Sequence, residues 1–188
     1  MTGLVDPGLH VWQGDIDSLA RPGPALFLDR DGTLMLDTGY PRYPDEVSIL
    51  TPGLPTLRLA LSLGLPLVVV TNQSGIARGL LTWSDYEAVS AQLRDDLSAV
   101  GVRLALMIAC AWHPESQAGL AHPDPPMRKP NPGMFQLAAQ RLNIDLSQSL
   151  MLGDQPSDLQ AGQAAGLKAG FLVGDWDRLS AAVAAAAR

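Results

Sequence analysis

The sequence predicts an α/β fold in which helices cover both faces of a central parallel sheet. Three observations support this prediction. Short apolar segments alternate along the chain with segments of helical periodicity, and that alternation is typical of parallel sheets. The clearest apolar segment, residues 65–71, is apolar and β-branched, as expected of a strand that is covered on both faces. Glycine, proline and polar residues separate the segments.

The first fifty residues contain one strand and two irregular segments. Residues 1–23 hold four glycines and two prolines without a clear period, which predicts an extended arm lying over a single domain of residues 24–188. Residues 25–29 form the first buried strand. The polar loop of residues 32–52 is predicted to include a short hairpin.

The middle of the chain alternates between helix and strand. Pro52 and the glycine after it open a helix that Gly64 ends, and the apolar strand follows. Thr82 is predicted to cap the next helix, with Asp85 as its capping-box partner. Residues 102–109 then form another strand.

The last part of the chain repeats this alternation. A loop rich in proline and histidine spans residues 110–129. Asn131 is predicted to cap a helix that has Pro132 at its first position. A strand, a helix and a strand follow at residues 150–153, 158–166 and 169–173, and an alanine-rich helix ends the chain.

Composition argues against several functional classes. The 188 residues are 47% hydrophobic and 17% charged, which suits one globular domain. The net charge of −6 argues against nucleic-acid binding, and the apolar runs are too short to span a bilayer. The single cysteine, Cys110, excludes an internal disulfide. Because no segment has the pattern of a signal peptide, we expect a cytoplasmic protein. We also expect it to be a monomer or a small homo-oligomer.

Two carboxylates directly follow the first predicted strand. Asp29 and Asp31 are two residues apart and precede a glycine, so they are predicted to converge just beyond the strand end, where open α/β sheets bind ligands. Carboxylates held this close repel each other unless a cation or a shared proton relieves them. The pair therefore indicates a divalent metal and acid/base or nucleophilic chemistry.

Three further polar stretches lie at the ends of predicted strands. They are residues 71–75 (Thr-Asn-Gln-Ser-Gly), residues 128–130 (Arg-Lys-Pro) and residues 153–158 (Gly-Asp-x-x-x-Asp). In order and spacing, the four stretches resemble the motifs of the haloacid dehalogenase (HAD) superfamily of phosphatases over residues 25–175. The resemblance implies a three-layer, Rossmann-like fold. The spacings between the motifs leave no room for a large cap domain.

The resemblance also implies roles for the carboxylates. Asp29 would attack phosphorus and form an aspartyl-phosphate. Asp31 would protonate the leaving oxygen and later activate water. Mg²⁺ would bind between Asp29, the backbone carbonyl of Asp31 and Asp154, because hard oxygen ligands suit this ion.

Further residues would act on the phosphoryl group. The resemblance gives Thr71 a hydroxyl, Asn72 a backbone N–H and Lys129 a positive charge directed at the phosphoryl oxygens. Asp158 would orient Lys129 or a metal-bound water. Alternatively, Asp158 is only an acidic residue in the first turn of a helix.

A closer resemblance links the chain to a capless branch of the superfamily that contains heptose bisphosphate and histidinol phosphate phosphatases. The stretches FLDRDGTL, TNQSGIARG and RKPNPGM carry it. The residues assigned to substrate binding are Asp37, Thr38, Gly39, Tyr40, Asn72, Gln73, Ser74 and Arg128. Arg128 is either a contact to a second phosphate or sugar group or a plain surface charge.

The chain departs from this branch at one place. The branch usually holds a structural zinc ion in a loop with Cys-x-His and Cys-x-Cys pairs. The corresponding residues here are Cys110, Trp112, Pro125 and Met127. Because tetrahedral zinc needs four donors, we predict that zinc is absent. An alternative is that His113, His122 and Asp124 regroup with Cys110 around a metal.

These observations lead to one preferred function and two alternatives. The preferred function is a Mg²⁺-dependent phosphomonoesterase that acts on a small phosphorylated sugar or metabolite, with heptose 1,7-bisphosphate as the leading candidate. One alternative is a histidinol phosphate phosphatase. The other is a non-catalytic phosphate-binding protein on the same scaffold, which would be expected to have lost a catalytic carboxylate.

Overall fold

The computed structural model describes residues 2–14, 19–116 and 119–186 and is built around a mixed sheet of seven strands. In chain order the strands are β1 Thr2–Asp6, β2 Leu9–Gln13, β3 Leu26–Leu28, β4 Leu67–Asn72, β5 Leu106–Cys110, β6 Leu150–Gly153 and β7 Ala169–Leu172. Their order across the sheet is β1-β2-β5-β4-β3-β6-β7. The strands from β5 to β7 in this order run parallel, which confirms the predicted parallel core.

Helices cover both faces of the sheet. They are α1 Leu54–Ser62, α2 Ser74–Ala77, α3 Trp83–Ala99, α4 Gly133–Leu142, α5 Pro156–Ala164 and α6 Trp176–Ala186. Buried side chains of α1, α3 and α6 pack with Leu28 on one face. Those of α4 and α5 pack with Phe27 on the other. Because neighbouring strand residues point to opposite faces, this arrangement confirms the three-layer prediction.

The N-terminal residues differ from the extended arm that the sequence suggested. β1 and β2 form an antiparallel hairpin, and β2 pairs with β5 from Leu9 opposite Cys110 to Gln13 opposite Leu106. The hairpin therefore extends the sheet rather than lying over it. Without it, β5 would be an edge strand with unpaired backbone groups, a consequence of topology that residues 1–23 alone do not reveal.

Three helices begin at other residues than those predicted. α1 begins at Leu54 rather than Pro52, because Thr51–Gly53 form a separate 3-10 turn. α4 begins at Gly133 with Pro132 as its N-cap. The side chain of Asn131 instead donates to Asp124 Oδ1 at 2.6 Å and to the carbonyl of Pro125 at 3.0 Å. α5 begins at Pro156, before the predicted Asp158, because a capping box with Asp158 as its third residue starts the helix earlier.

The strand register brings the motifs to one edge of the sheet. Leu28, the last residue of β3, is opposite Val69 of β4 and Leu152 of β6. Since these strands are parallel, the residues that follow them meet at the carboxyl edge, where open α/β sheets bind ligands. After β3, where a short hairpin was predicted, residues 34–36 and 48–50 form only an isolated antiparallel bridge, with hydrogen bonds from Leu36 N to Ser48 O and from Leu50 N to Leu34 O.

None of the helices described is both long enough and apolar enough to cross a membrane.

Candidate active site

A buried lysine joins two of the predicted site carboxylates. Lys129 Nζ lies 2.9 Å from Asp29 Oδ1 and 2.6 Å from Asp158 Oδ1, and it donates to the carbonyl of Val70 at 2.8 Å. All three ammonium hydrogens are therefore used. The lysine is only 3% exposed, so its position is fixed by the carboxyl ends of β3 and β4 and the start of α5.

Burial and charge act in opposite directions on this cluster. Burial is the largest influence on Asp29 and, despite the nearby Lys129, raises its pKa from 3.8 to about 6. Burial also opposes the charge on Lys129, but the carboxylates of Asp29 and Asp158 outweigh it and raise the pKa of the lysine. At neutral pH Lys129 is therefore charged and Asp29 is available as a carboxylate.

Asp158 is fixed on both of its oxygens. Oδ1 contacts Lys129, and Oδ2 accepts the backbone N–H of Gln155 at 3.0 Å. Gly153 is required for this approach, because a Cβ on it would collide with the Asp158 carboxylate. The two readings of Asp158 are therefore compatible: it lies in the first turn of a helix and it holds Lys129.

The carboxylates suit a hard divalent cation. Oxygens of Asp29, Asp154 and Asp158 lie within 4.8 Å of one another. Asp154 Oδ1 is buried and has no hydrogen-bond partner among the described residues, a costly arrangement that a cation would relieve. Because Asp158 is already occupied by Lys129 and Gln155, Asp29 and Asp154 are the carboxylates best placed to bind Mg²⁺. The side chain of Asp31 is not part of this group.

Asp31 is held by a buried arginine and a buried glutamine. Arg30 Nη2 lies 2.9 Å from Asp31 Oδ1 and 3.0 Å from Oδ2, and Gln73 Nε2 donates to Oδ2 at 2.9 Å. Arg30 is 1% exposed and its guanidinium lies 5.1 Å from the centre of the Tyr86 ring. The acid/base candidate is thus anchored on its protein side while it still lines the pocket.

The motif at the end of β4 connects the site to Lys129. The side chain of Asn72 donates to the carbonyl of Lys129 and accepts its N–H, both at 3.0 Å. Thr71 Oγ1 accepts a hydrogen bond from Gln73 Nε2 at 2.9 Å. The hydroxyl hydrogen of Thr71 therefore remains available for donation to a ligand.

These residues surround a pocket of about 380 Å³. The residues predicted for the site that line it are Asp29, Asp31, Asp37, Gly39, Tyr40, Thr71, Asn72, Ser74, Lys129, Asp154 and Asp158. Thr38, Gln73 and Arg128 were predicted to bind substrate but do not line it. Gln73 is 5% exposed and turns inward because its amide is bound to Asp31 and Thr71.

Arg128 belongs to a positive cluster instead. Burial, together with repulsion from Arg78, lowers the pKa of Arg128 although the Cys110 thiol opposes this. Its Nη1 is buried without a partner among the described residues. Arg78 donates to the hydroxyl of Tyr40 at 3.0 Å, and Tyr40 lines the pocket. The two arginines thus place positive charge beside the pocket.

The histidines of the loop after β5 do not gather around Cys110. The Nδ1 atoms of His113 and His122 accept backbone N–H groups within the loop, and Asp124 Oδ1 accepts from Asn131. In the described part of the chain, the converging carboxylates at the pocket are the sole group of three or more side chains with the geometry to hold a metal ion. The regrouped metal site that the sequence left open therefore finds no support.

Sequence reasoning missed two arginines. Arg30 stands between the two aspartates of the first motif, and a charged residue at the end of an apolar strand was a usable signal that it pairs with one of them. Arg78 lies in the TNQSGIARG stretch, but an isolated arginine after a short helix gives no signal of its neighbours.

The chain has close relatives among characterised and solved proteins. Residues 126–175 match the HAD-hydrolase-like family. The chain is 48% identical to a D-glycero-beta-D-manno-heptose-1,7-bisphosphate 7-phosphatase of Mesorhizobium japonicum, over 90% of this chain and 78% of the relative. It is 37% identical to a phosphatase of Burkholderia mallei named for the alpha form of the same sugar, over 87% of this chain and 86% of the relative.

Solved structures agree with the fold. The structure of a putative HAD-like phosphatase from Mesorhizobium loti has a TM-score of 0.95 and 40% identity, over 100% of this chain and 99% of that one. The D,D-heptose 1,7-bisphosphate phosphatase of B. bronchiseptica, solved with magnesium and phosphate, has a TM-score of 0.69 and 31% identity, over 84% and 86% of the two chains. With this fold and these relatives, the chain belongs to the HAD-like hydrolases and is a phosphatase of that family.

Proposed function

We propose that this chain is a Mg²⁺-dependent phosphatase that removes the 7-phosphate of D-glycero-D-manno-heptose 1,7-bisphosphate through a phosphorylated Asp29. The observation that carries the chemistry is the convergence of Asp29, Lys129 and Asp154 at one pocket, with Asp31 beside them. The proposal for the sugar rests on relatives whose names specify it, at 48% and 37% identity.

The proposed reaction has two steps. In the first, a carboxylate oxygen of Asp29 forms a bond to phosphorus while the bond from phosphorus to the sugar oxygen breaks, and Asp31 gives that oxygen a proton. In the second, water attacks the same phosphorus, Asp31 takes a proton from the water, and Asp29 and inorganic phosphate are released. Splitting the reaction replaces one slow displacement by two faster ones.

The other site residues stabilise charge on the phosphoryl oxygens. Lys129 supplies a fixed positive charge, and the Thr71 hydroxyl is free to donate because its oxygen already accepts from Gln73. Asp29, the Asp31 carbonyl and Asp154 would hold Mg²⁺, which when bound adds positive charge beside the phosphoryl group. The unpartnered Asp154 Oδ1 supports this assignment.

The positive cluster favours a substrate with two phosphates. Neither Arg78 nor Arg128 forms an ion pair with a carboxylate in the described part of the chain. Arg128 is partly exposed, so a second phosphate bound beside the pocket would pair with the accessible part of its guanidinium. This feature favours a bisphosphate over histidinol phosphate, which carries a single phosphate.

The test compares substrates that carry two phosphates with substrates that carry one. Phosphate release would be measured on both anomers of heptose 1,7-bisphosphate, on histidinol phosphate and on p-nitrophenyl phosphate, with Mg²⁺ and with EDTA. We expect the highest kcat/KM on the bisphosphate, preferentially its beta anomer, and no turnover in EDTA.

Two variants make the test specific. Asp29→Asn should abolish turnover of every ester, because it removes the nucleophile. Arg128→Ala should raise KM for the bisphosphate about 10-fold, as for one lost charge-assisted contact, and leave p-nitrophenyl phosphate hydrolysis within about twofold of wild type. Persistent activity of Asp29→Asn would exclude the proposed mechanism, and no preference for the bisphosphate would exclude the proposed substrate.

A further inference from the structure

The amide of Gln73 is bound on every side. Nε2 donates to Asp31 Oδ2 and to Thr71 Oγ1, both at 2.9 Å, and Oε1 accepts from Arg30 Nη2 at 3.3 Å. These contacts fix which way the amide faces, because a flipped amide would point its oxygen at the Asp31 carboxylate and its hydrogens at a guanidinium. Gln73 therefore has a single satisfied orientation.

Burial separates Gln73 from any ligand. It is 5% exposed and does not line the pocket, whereas Asp31 does. A role in binding substrate directly is thus excluded by position. What Gln73 does contact is the acid/base candidate and the hydroxyl of Thr71, so its effect on the reaction must pass through these two.

Asp31 needs support from outside its own loop. β3 ends at Leu28, so Asp31 lies beyond the last hydrogen-bonded strand residue. Arg30 holds both Asp31 oxygens, and its guanidinium is fixed against α3 by Ser90 Oγ at 3.2 Å and by the Tyr86 ring at 5.1 Å. Gln73 follows β4 and is anchored by its backbone, since Gln73 N donates to the carbonyl of Cys110 at 2.7 Å. Gln73 is therefore the side-chain contact that links Asp31 to the rigid sheet.

We propose that Gln73 is a positioning residue that holds the Asp31 carboxylate at the angle needed for proton transfer to the leaving group. The inference rests on the proposed function and adds a residue to it. If Gln73 is lost, Asp31 keeps its arginine partner but loses its link to β4. Proton transfer, which requires hydrogen-bond geometry, then becomes slower while phosphoryl transfer itself is less affected.

Leaving groups of different acidity separate these two effects. Phenyl phosphate and p-nitrophenyl phosphate have similar shapes, but phenolate needs a proton far more than p-nitrophenolate does. The quantity to measure is the ratio of kcat/KM for phenyl phosphate to kcat/KM for p-nitrophenyl phosphate. Since kcat/KM covers only the steps up to the first irreversible one, release of phosphate from Asp29 does not enter the ratio. Any effect through Thr71 acts on both esters and cancels.

In Gln73→Met, which has similar length and no amide, we expect this ratio to fall about 10-fold, a part of the roughly 10²–10⁴-fold that general acid–base catalysis contributes. Gln73→Glu, which replaces the donor by an acceptor facing Asp31, should lower it at least as far. Thr56→Val is the matched control: Thr56 is 3% exposed and hydrogen-bonded to Ser180 at 2.7 Å between α1 and α6. It loses a buried polar contact without touching Asp31, and its ratio should equal that of wild type.

The outcomes are distinct. A lower ratio in both Gln73 variants, with the ratio of Thr56→Val unchanged, supports the proposal, and the same change in Asp31→Asn identifies the acid. The proposal is overturned if folded Gln73→Met or Gln73→Glu has the same ratio as wild type, even if both kcat/KM values fall. A wild-type chain that hydrolyses neither these esters nor heptose 1,7-bisphosphate contradicts the proposed function itself.

Discussion

At the scale of single residues, the pocket combines groups that oppose folding with groups that compensate for them. Asp29 is nearly buried, and its raised pKa shows that burial outweighs the attraction of Lys129. Asp154 contributes a buried oxygen without a partner in the described part of the chain. Such groups cost stability and are retained where chemistry needs them. The cost should be measurable in the protein without metal.

Removing the charge of Asp29 should stabilise the metal-free protein. The folded pKa of about 6 lies above the ordinary value of 3.8, so ionised Asp29 lowers stability as pH rises from about 4 to 6. In EDTA at pH 7.5, Asp29→Asn should raise the free energy of unfolding by about 1–3 kcal/mol and the melting temperature by several degrees.

The same variant should gain little at pH 4, where Asp29 is protonated in the folded state and only about half ionised in the unfolded chain. Asp95→Asn, at an exposed carboxylate of α3, is the control and should change the melting temperature little at either pH. An Asp29→Asn protein that is less stable than wild type at pH 7.5 would show that the Lys129 pairing outweighs burial.

At the scale of elements, the N-terminal hairpin and the loop after β5 support each other. Trp112 Nε1 donates to Asp6 Oδ1 at 3.1 Å, Ala111 N donates to Gly8 O at 2.8 Å, and the Trp112 ring covers Gly8. Trp112 also meets His122 at 6.2 Å between ring centres. The hairpin turn thus holds the segment where related phosphatases were expected to use zinc. The absence of zinc here stays a prediction, which metal analysis of the purified protein would test.

This contact gives a matched pair of glycine variants. A Cβ at Gly8 would overlap the Trp112 ring, whereas a Cβ at Gly3 meets no atom within 4 Å. Gly8→Ala should therefore lower the free energy of unfolding by about 1–3 kcal/mol, as overpacking does, and Gly3→Ala should stay within about 0.5 kcal/mol of wild type. Urea unfolding curves measure both. Equal values for the two variants would mean that the ring moves aside freely.

At the scale of the whole molecule, the hairpin closes one side of the sheet and adds to its core. Leu9 and Val11 join the cluster under α4 and α5. The His10 side chain lies on the opposite face of the sheet. There its ring stacks on Trp83 and meets Tyr86 edge-on, each at 5.5 Å between ring centres. Tyr86 in turn lies against Arg30, so the hairpin touches the layer of side chains that anchors Asp31.

His10 should make global stability depend on pH. Burial lowers its pKa below 6.5, although Glu87 opposes this, with a smaller lowering from Arg94. The unfolded chain then binds the proton more tightly than the folded one, so stability is lost as pH falls through and below 6.5. Between pH 7.5 and 5, wild type should lose more unfolding free energy than His10→Phe does.

That comparison cancels the opposite contribution of Asp29, which both proteins share. Urea unfolding of the two proteins at each pH gives the values. If His10→Phe has as steep a pH dependence as wild type, His10 is not the group responsible.

The parallel α/β core, the chain order of the motifs and the strand ends that carry them could all be predicted from the amino-acid sequence. These follow from local signals: apolar runs of strand length, capping residues such as Thr82, and polar residues that directly follow a strand. Parallel strands then bring Asp29, Thr71 and Asp154 to one edge. For this reason most of the candidate site residues were found to line the pocket.

The way in which these residues pair is visible only in the folded chain. That Lys129 lies between Asp29 and Asp158, that Gln73 faces Asp31 rather than a ligand, and that residues 2–13 extend the sheet are contacts between distant parts of the chain. Local periodicity carries no information on which distant group will be the partner, because burial and register select it once the layers have packed.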